Sequence, residues 1–508
     1  VEARGAYSVA IERGARKLTG GPGAIGYAVV AALVGVALLL YFLDGHTNLA
    51  NGGAISSRGT GFVIGEASGI AAAVLLASVV ILASRLAVLE LLFGDLTSVY
   101  VAHGVIGMTM FAVVSIHPMM YLLGGLLIGD DFLGAAHVLV PFHVVVLDWI
   151  SYIVIAIALI PTLYMRLAFD SWRWIHLLLG LAMILTGYSI LIDNSAFDTA
   201  AIPILRDYLF VVFGLATAAF LWVAVARRLV EPKREYRIVA AKHHPEAEAM
   251  ELLAEPVGRP ARFEAGQFIY VDLLDSMAQI DREFEAHPFS AASPPGREPL
   301  SLVIQATGRH TQRVKDIAAG HEARALLHSA YGRLGIDRPE GKKQLWLAGG
   351  IGITPFLAMA GELADHPERY EGYEVTLVVG VDHAYQAFEM EELERCAERF
   401  PGLDVHLWDR EERGLPTGEG VVELIDGDLR EYAVMISGPE SMISDMTAEL
   451  VAAGVPRGRI RSERQIGPPG RWKVASPALR WMRAAVTTFF GLFVLAVIVS
   501  TVSRAIFA

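Results

Sequence analysis

Seven stretches of this chain are long enough and apolar enough to cross a bilayer as helices, and no other feature limits its fold as strongly. They lie near residues 24–43, 66–93, 99–127, 139–168, 172–192, 206–228 and 479–504. In hydrocarbon the backbone must satisfy its own hydrogen bonds, so each run is expected to be helical. Between the sixth and seventh runs the composition changes. Residues 233–465 are rich in Glu, Asp, Lys and Arg and supply the bulk of the net charge of −12, as a water-soluble module joined to a membrane module would. At 508 residues the chain is too long for one ordinary domain. It shows no basic patch of the kind that holds nucleic acid.

Basic residues orient the spans. Arg4, Arg13, Arg16 and Lys17 precede the first, Arg85 falls toward the end of the second, and Arg166 and Arg173 flank the turn after the fourth. Arg227, Arg228, Lys233 and Arg234 follow the sixth. The opposite loops carry Asp44, Asp130, Asp131, Asp193 and Asp198, with Arg58 and Arg206 as their arginines. By the positive-inside rule, a multi-pass protein of the inner or plasma membrane is expected, with its N-terminus and charged module cytoplasmic and its C-terminus outside. Residues 1–22 are polar and Arg-rich, and no small-residue cleavage site follows the first apolar run, so that run is expected to be a retained anchor. The single cysteine, Cys396, excludes an intrachain disulfide and a cysteine-held iron–sulfur cluster.

The third run, YVAHGVIGMTMFAVVSIHPMMYLL, holds His103 and His117. Their separation of 14 residues is about 21 Å of helix rise and nearly four whole turns. Both therefore lie on one face at two depths, His103 toward the cytoplasm. The fifth run opens WRWIHLLLGLAMILTGYSILID, which places His176 at the depth of His103. Two imidazoles facing each other across a helix pair can ligate a haem iron from both sides. Gly104, Gly107 and Gly180 near them would leave room for a flat macrocycle. The alternative is that each histidine hydrogen-bonds a neighbouring helix.

In the charged module, residues 233–340 mix short strand-like runs with Gly/Pro turns, which suggests a small barrel. Phe268, Tyr270 and Asp272 alternate with Ile269, Val271 and Leu273, as in a strand with two unlike faces. From 341 the pattern becomes strand, turn, helix. LWLAGGIGITPFLAMAGEL, EVTLVVGVD and AVMISGPESM are its clearest pieces, and they predict a parallel α/β domain. The turn Gly349-Gly350-Ile351-Gly352 would let backbone approach a pyrophosphate at a helix N-terminus.

The succession HPFS, GxxT, GGxGxTP and SGPESM resembles a ferredoxin-reductase-like flavoprotein module over about 233–465. Behind six spans with in-phase histidines, it resembles the NADPH oxidase/ferric reductase family, in a bacterial-type member, over nearly the whole chain. That resemblance implies a cytosolic segment 1–22, a six-helix haem-binding domain 23–232, an FAD-binding β-barrel 233–340, an NAD(P)-binding α/β domain 341–465, and a linker with a C-terminal span 466–508. Carried over by position, it places the flavin against His287, Pro288, Phe289 and Ser290, and the FAD pyrophosphate by Gly308, Arg309 and Thr311. Gly350, Gly352, Thr354, Pro355, Gly438 and Pro439 would line the nicotinamide dinucleotide site. Electrons would pass from cytosolic NADPH or NADH through FAD to a haem b between His103 and His176, and on toward the outer face. No side chain beyond the cofactors need act as acid or base.

Two departures from the family pattern bear on function. Members commonly carry a second histidine pair, but the partner of His117 would fall at Ser189 or Ile190. One haem, a second haem held through His143 or His137, or a lost outer site all remain open; an absent or unusual second site is the expectation. NADPH-specific relatives often place an Arg after the strand EVTLVVG, where this chain has Val381-Asp382-His383. Asp382 would repel a 2′-phosphate and could bond a ribose hydroxyl, so NADH becomes a candidate donor beside NADPH. Gln465 also stands where an aromatic residue often covers the flavin. The terminal acceptor is expected to be oxygen or ferric iron, the mildly acidic outer loops tilting toward oxygen. A quinone in the bilayer, or a protein partner outside the cytoplasm, are the competing acceptors.

Overall fold

The computed structural model describes residues 23–50, 59–94, 96–128, 142–164, 169–192, 203–231, 233–274, 286–306, 311, 314, 323–338, 341–414, 416–464, 488 and 491. The chain divides into two compact units, one built on 23–229 and the other on 230–466. Of the seventh apolar run, only 488 and 491 are among the described residues.

The first unit is helical. Its long helices among the described residues are Ala24–Ala50, Gly59–Leu82, Leu96–Ile128, Phe142–Tyr164, Phe169–Ile192 and Pro203–Leu221, the last running on through a π-turn at Trp222–Ala226. Among the described residues, four helical stretches are long and apolar enough to cross a membrane: Ala24–Leu43, Val63–Leu82, Ser98–Met120 and Ile204–Ala226. Val146–Thr162 and Trp174–Ser189 are shorter apolar helices. The run 66–93 is not one span. Its helix stops at Leu82, Arg85 takes a left-handed φ of 54°, and a separate short helix follows at Ala87–Phe93. Small residues such as Ala73, Ala77 and Ala102 sit in the core with Val79, Ile106, Met110 and Phe111, so helices Gly59–Leu82 and Leu96–Ile128 can pack closely. Glu66, an acid within the first of these, accepts a hydrogen bond from Tyr41 at 2.7 Å.

The second unit holds two sheets. Strands β1 (Arg234–His244), β2 (Ala249–Pro256), β3 (Phe268–Leu274), β4 (His287–Ser290), β5 (Leu300–Gln305) and β6 (Arg324–Tyr331) form an antiparallel sheet ordered β4-β3-β6-β1-β2-β5. A bridge between Ala291 and Leu302 draws its two edges together. Ile269, Val271 and Leu273 of β3 face the apolar core with Leu252, Leu302 and Leu327. The other face of β3 is covered as well. Phe268 and Tyr270 pack on Tyr331, and Asp272 is buried against His328, so both faces of this strand are covered.

Strands β7 (Lys343–Gly349), β8 (Glu374–Val381), β9 (Leu403–Asp409), β10 (Ala433–Gly438) and β11 (Ile460–Arg464) form a parallel sheet ordered β11-β10-β7-β8-β9. After β7 the chain builds outward to β8 and β9, then returns to the other side of β7 for β10 and β11. The strand order therefore reverses between β7 and β10. In open parallel sheets the crevice at such a switch point, beyond the carboxyl ends of the strands, is where ligands bind.

Candidate functional site

In the helical unit, the rings of His103 and His176 come together with centroids 5.9 Å apart and an interplanar angle of 55°. A centroid separation of 5.9 Å leaves room for one metal ion between the two imidazoles. His103 Nδ1 donates to the Val79 carbonyl at 3.0 Å. A carbonyl only accepts, so this bond puts the proton on Nδ1 and leaves Nε2 with its lone pair, as a metal-binding histidine requires. His176 Nδ1 is buried with no hydrogen-bond partner, and Trp172, one turn earlier, stacks on the ring at 4.8 Å. An orphaned nitrogen in a buried ring is uncommon and fits an imidazole held for a metal. A Cβ at Gly104 would meet nothing within 4 Å, which agrees with space for a macrocycle. Gly180 does not serve that purpose: a Cβ there would run into the Phe220 ring, so this glycine admits a neighbouring helix.

The C-terminal end of the same helix, expected to be the outer one, is built differently. His117 Nδ1 donates to the Gly65 carbonyl at 2.7 Å. The carbonyls of Gly65 and Val79 are as far apart in sequence as His117 and His103, so one antiparallel helix pair anchors both rings in the same way. Gly69 makes room for the outer ring, since a Cβ there would stand 2.6 Å from His117 Nδ1. Ser189, at one of the two positions expected for a second ligand, donates to Asp148 Oδ1 at 2.6 Å, and Asp148 interacts electrostatically with His117. His137 lies outside the described residues, as do the side chains of His143 and Ile190.

In the second unit, the predicted dinucleotide residues converge at the switch point. Gly350–Ile353 form a 3-10 turn after β7, and helix Thr354–Asp365 begins with Pro355 in its first turn. Gly350 has a φ of 54°, and a Cβ there would meet nothing within 4 Å. Gly352 packs so closely on the Ser437 carbonyl at the end of β10 that no side chain could fit, and a Cβ on Gly438 would stand 3.2 Å from Gly349. Thr354 is buried, and its hydroxyl donates to the Ile351 carbonyl at 3.1 Å, tightening the turn. Pro439 precedes helix Glu440–Ala452. Two glycine-bearing turns and the N-terminus of helix Thr354–Asp365 thus share one crevice, where backbone N–H groups and the helix dipole favour a pyrophosphate.

The predicted flavin residues His287, Pro288, Phe289 and Ser290 are β4 itself, an edge strand paired to β3 and half-buried along its length. The His287 and Phe289 rings share one face, with centroids 6.3 Å apart. Thr311 is described, whereas Gly308, Arg309 and Gln465 lie outside the described residues.

Asp382 is where the structure adds most to the sequence. Its carboxylate accepts from Arg410 at 2.8 Å, and Arg410 follows β9. Because β8 and β9 pair with Val381 beside Asp409, the next residues on each strand become neighbours. Only the strand register carries that signal. The acid expected to repel a 2′-phosphate is therefore matched by a base at the same corner. Near the start of the unit, His328 Nε2 bonds Asp272 at 2.9 Å while its Nδ1 lies 3.9 Å from Glu231. Burial works against the charged ring, but the bonds to Asp272 and Glu231 outweigh it and raise its pKa above the ordinary imidazole value.

Residues 68–187 match a ferric reductase like transmembrane component, 239–344 an FAD-binding domain, and 346–448 an oxidoreductase NAD-binding domain. The chain is 26% identical to human dual oxidase 2 over 185 residues, which is 35% of this chain and 11% of that protein. It is 32% identical to flavohemoprotein A of Dictyostelium discoideum over 145 residues, 28% of this chain and 34% of that protein. This chain thus spans about a third or less of these curated relatives. Among solved structures, a flavohemoglobin from Malassezia yamatoensis with bound FAD and haem aligns with a TM-score of 0.42 at 18% identity, covering 63% of this chain and 84% of that one.

Proposed function

Since this chain belongs to the NADPH oxidase/ferric reductase family, we propose that it carries electrons from cytoplasmic NAD(P)H across the membrane to a small acceptor on the outer side. The observation that carries this reading is the His103–His176 pair, two membrane imidazoles spaced for one haem iron. When bound, FAD accepts two electrons together and haem iron takes one at a time, so the two cofactors convert a hydride donor into single-electron delivery. The chain's own residues hold and orient. Val79 fixes the His103 tautomer and Trp172 steadies the His176 ring. The turns at Gly350–Pro355 and Gly438–Pro439 bind the dinucleotide, and β4 with Thr311 holds the flavin. Gly308 and Arg309 complete the flavin contacts. Asp382 takes a ribose hydroxyl, and Arg410 beside it gives a 2′-phosphate a counter-charge, so both NADH and NADPH are donors.

In this reading the six-helix domain spans 23–232, the flavin barrel 233–340 and the nucleotide domain 341–465. A seventh span follows that sends the C-terminus outside. One haem is held at the inner site. Oxygen is the preferred acceptor, with ferric iron second, because the outer loops are mildly acidic. The test is an optical spectrum of detergent-purified protein with haem and FAD quantified, before and after NADH or NADPH. One six-coordinate b-type haem per chain, reduced by the nucleotide, is the expected result. Protein that retains FAD but no haem overturns the proposal. A second reading, reduction of a quinone within the bilayer, is favoured by the Ser189–Asp148 pair beside His117, because the Ser189 hydroxyl, turned from Asp148, could donate to a quinone carbonyl. Quinol formed faster than superoxide or Fe(II) would select it.

A further inference from the structure

A cluster in the second unit is not used by this electron path. His244 ends β1, Glu251 lies on β2, and Glu389 immediately precedes helix Met390–Arg399 of the parallel-sheet domain. His244 Nε2 lies 3.5 Å from Glu251 Oε2 and 3.8 Å from Glu389 Oε1, and one ligand atom from each of the three residues falls within 4.8 Å of the others. The β1–β2 ladder explains half of this placement. Lys242 pairs with Glu251 and His244 with Ala249, so His244 and Glu251 are diagonal neighbours on one face. The other half is tertiary: Glu389 arrives from the nucleotide-binding side of the unit.

His244 is 9% exposed, and its Nε2 points into this cluster with no hydrogen-bond partner. Ser301 donates to Glu251 Oε1 at 2.8 Å, which turns the second oxygen of that carboxylate toward His244. Phe388 packs on the imidazole with centroids 5.5 Å apart. We propose that His244, Glu251 and Glu389 form a zinc-type divalent metal site that ties the nucleotide-binding half of the unit to the flavin-binding half. Ligand atoms around a tetrahedral zinc stand about 3.3–3.5 Å apart, close to the two distances from His244. One imidazole with two carboxylates suits zinc better than calcium or magnesium, which take all-oxygen shells. Lys242 is the competing cation, with Nζ 3.2 Å from Glu389 and 3.9 Å from Glu251. Its side chain is 62% exposed, so its ion pairs contribute little, and it does nothing for the buried His244 Nε2. A metal ion satisfies all three groups at once. It would act beside an existing link between the same halves, where Arg297 bonds Asp365 at 2.7 Å and Glu392 at 3.3 Å.

The experiment uses the full chain in detergent, without an affinity tag, stripped by chelator and titrated with Zn²⁺. Bound zinc is counted by elemental analysis, separately from iron, and affinity is measured by calorimetry. One zinc per chain is expected, with affinity at least about tenfold weaker in Glu251→Gln and in Glu389→Gln, and lost in His244→Ala. Lys242→Met, at an exposed position, should bind zinc at least as tightly as the parent. FAD absorbance per chain reports folding in each variant, so a variant that keeps its flavin and loses zinc supports the site. If neither the parent nor Lys242→Met holds more zinc than His244→Ala, the site is overturned. If Glu389→Gln binds as well as the parent, the tie between the two halves is overturned. These outcomes do not depend on haem content or on turnover.

Discussion

The two ends of helix Leu96–Ile128 start from the same design and finish differently. At the end proposed to be the inner one, His103 is tied to Val79 and its ring lies 5.9 Å from that of His176. At the end proposed to be the outer one, His117 is tied to Gly65 in the same manner, but of the two positions where a facing imidazole is expected one carries Ser189, bonded to Asp148. The shared backbone anchor shows that the helix pair positions both rings regardless of what stands opposite. The facing helix then decides whether a positioned imidazole has a second ligand or a hydrogen-bonding carboxylate and hydroxyl for company.

The largest expected effect is at the inner end. His103→Ala should remove the b-type haem signal and lower acceptor reduction by at least about 100-fold while flavin reduction by NAD(P)H continues, as separate stopped-flow traces would show. His117→Ala should leave that haem in place; loss of all haem in both variants would erase the distinction between the ends. Next in size is a gain. Ser189→His restores an imidazole at the outer level and should raise haem per chain from one toward two in a pyridine haemochrome assay. Two haems in the unmodified protein would break the comparison outright.

A smaller effect tests the outer anchor. Gly69→Ala places a methyl group against the His117 ring and should destabilise the helical unit by about 1–3 kcal/mol, with inner haem content unchanged. The second unit provides the remaining contrasts. Arg410→Ala leaves Asp382 without its base, so kcat/KM for NADPH should fall about tenfold while that for NADH changes little. The smallest effect is a pH dependence. The folded pKa of His328 is raised, so its stabilising contribution is complete below the ordinary value of 6.5 and is lost as pH climbs through the folded value. Thermal release of flavin should therefore shift down by a few degrees between mildly acidic and mildly alkaline pH, and His328→Asn should flatten that shift.

Much of this was legible in the residues, for reasons that differ by region. Apolar runs and helical phase are local properties, so the helices and the common face of His103 and His117 follow from spacing alone. The switch-point crevice was legible because glycines are required wherever two backbones approach as closely as Gly352 and the Ser437 carbonyl do. Other features were hidden in pairing. The break at Arg85 depends on one residue's φ, which apolar composition does not report. Tyr331 and His328 cover the second face of β3 from a strand far along the chain. Gly180 looked like space for a cofactor, and only the approach of Phe220 shows what it accommodates.

By itself the sequence determined that the chain joins apolar helices to a charged α/β and β module, with histidines in phase and glycine turns in order. These are short-range consequences of side-chain polarity and backbone freedom. The tertiary structure decided which imidazole meets which, that Asp382 has Arg410 beside it, and that His244, Glu251 and Glu389 converge. Such contacts join residues distant in the chain, and their geometry is set by strand register and helix packing, which no single stretch of sequence encodes.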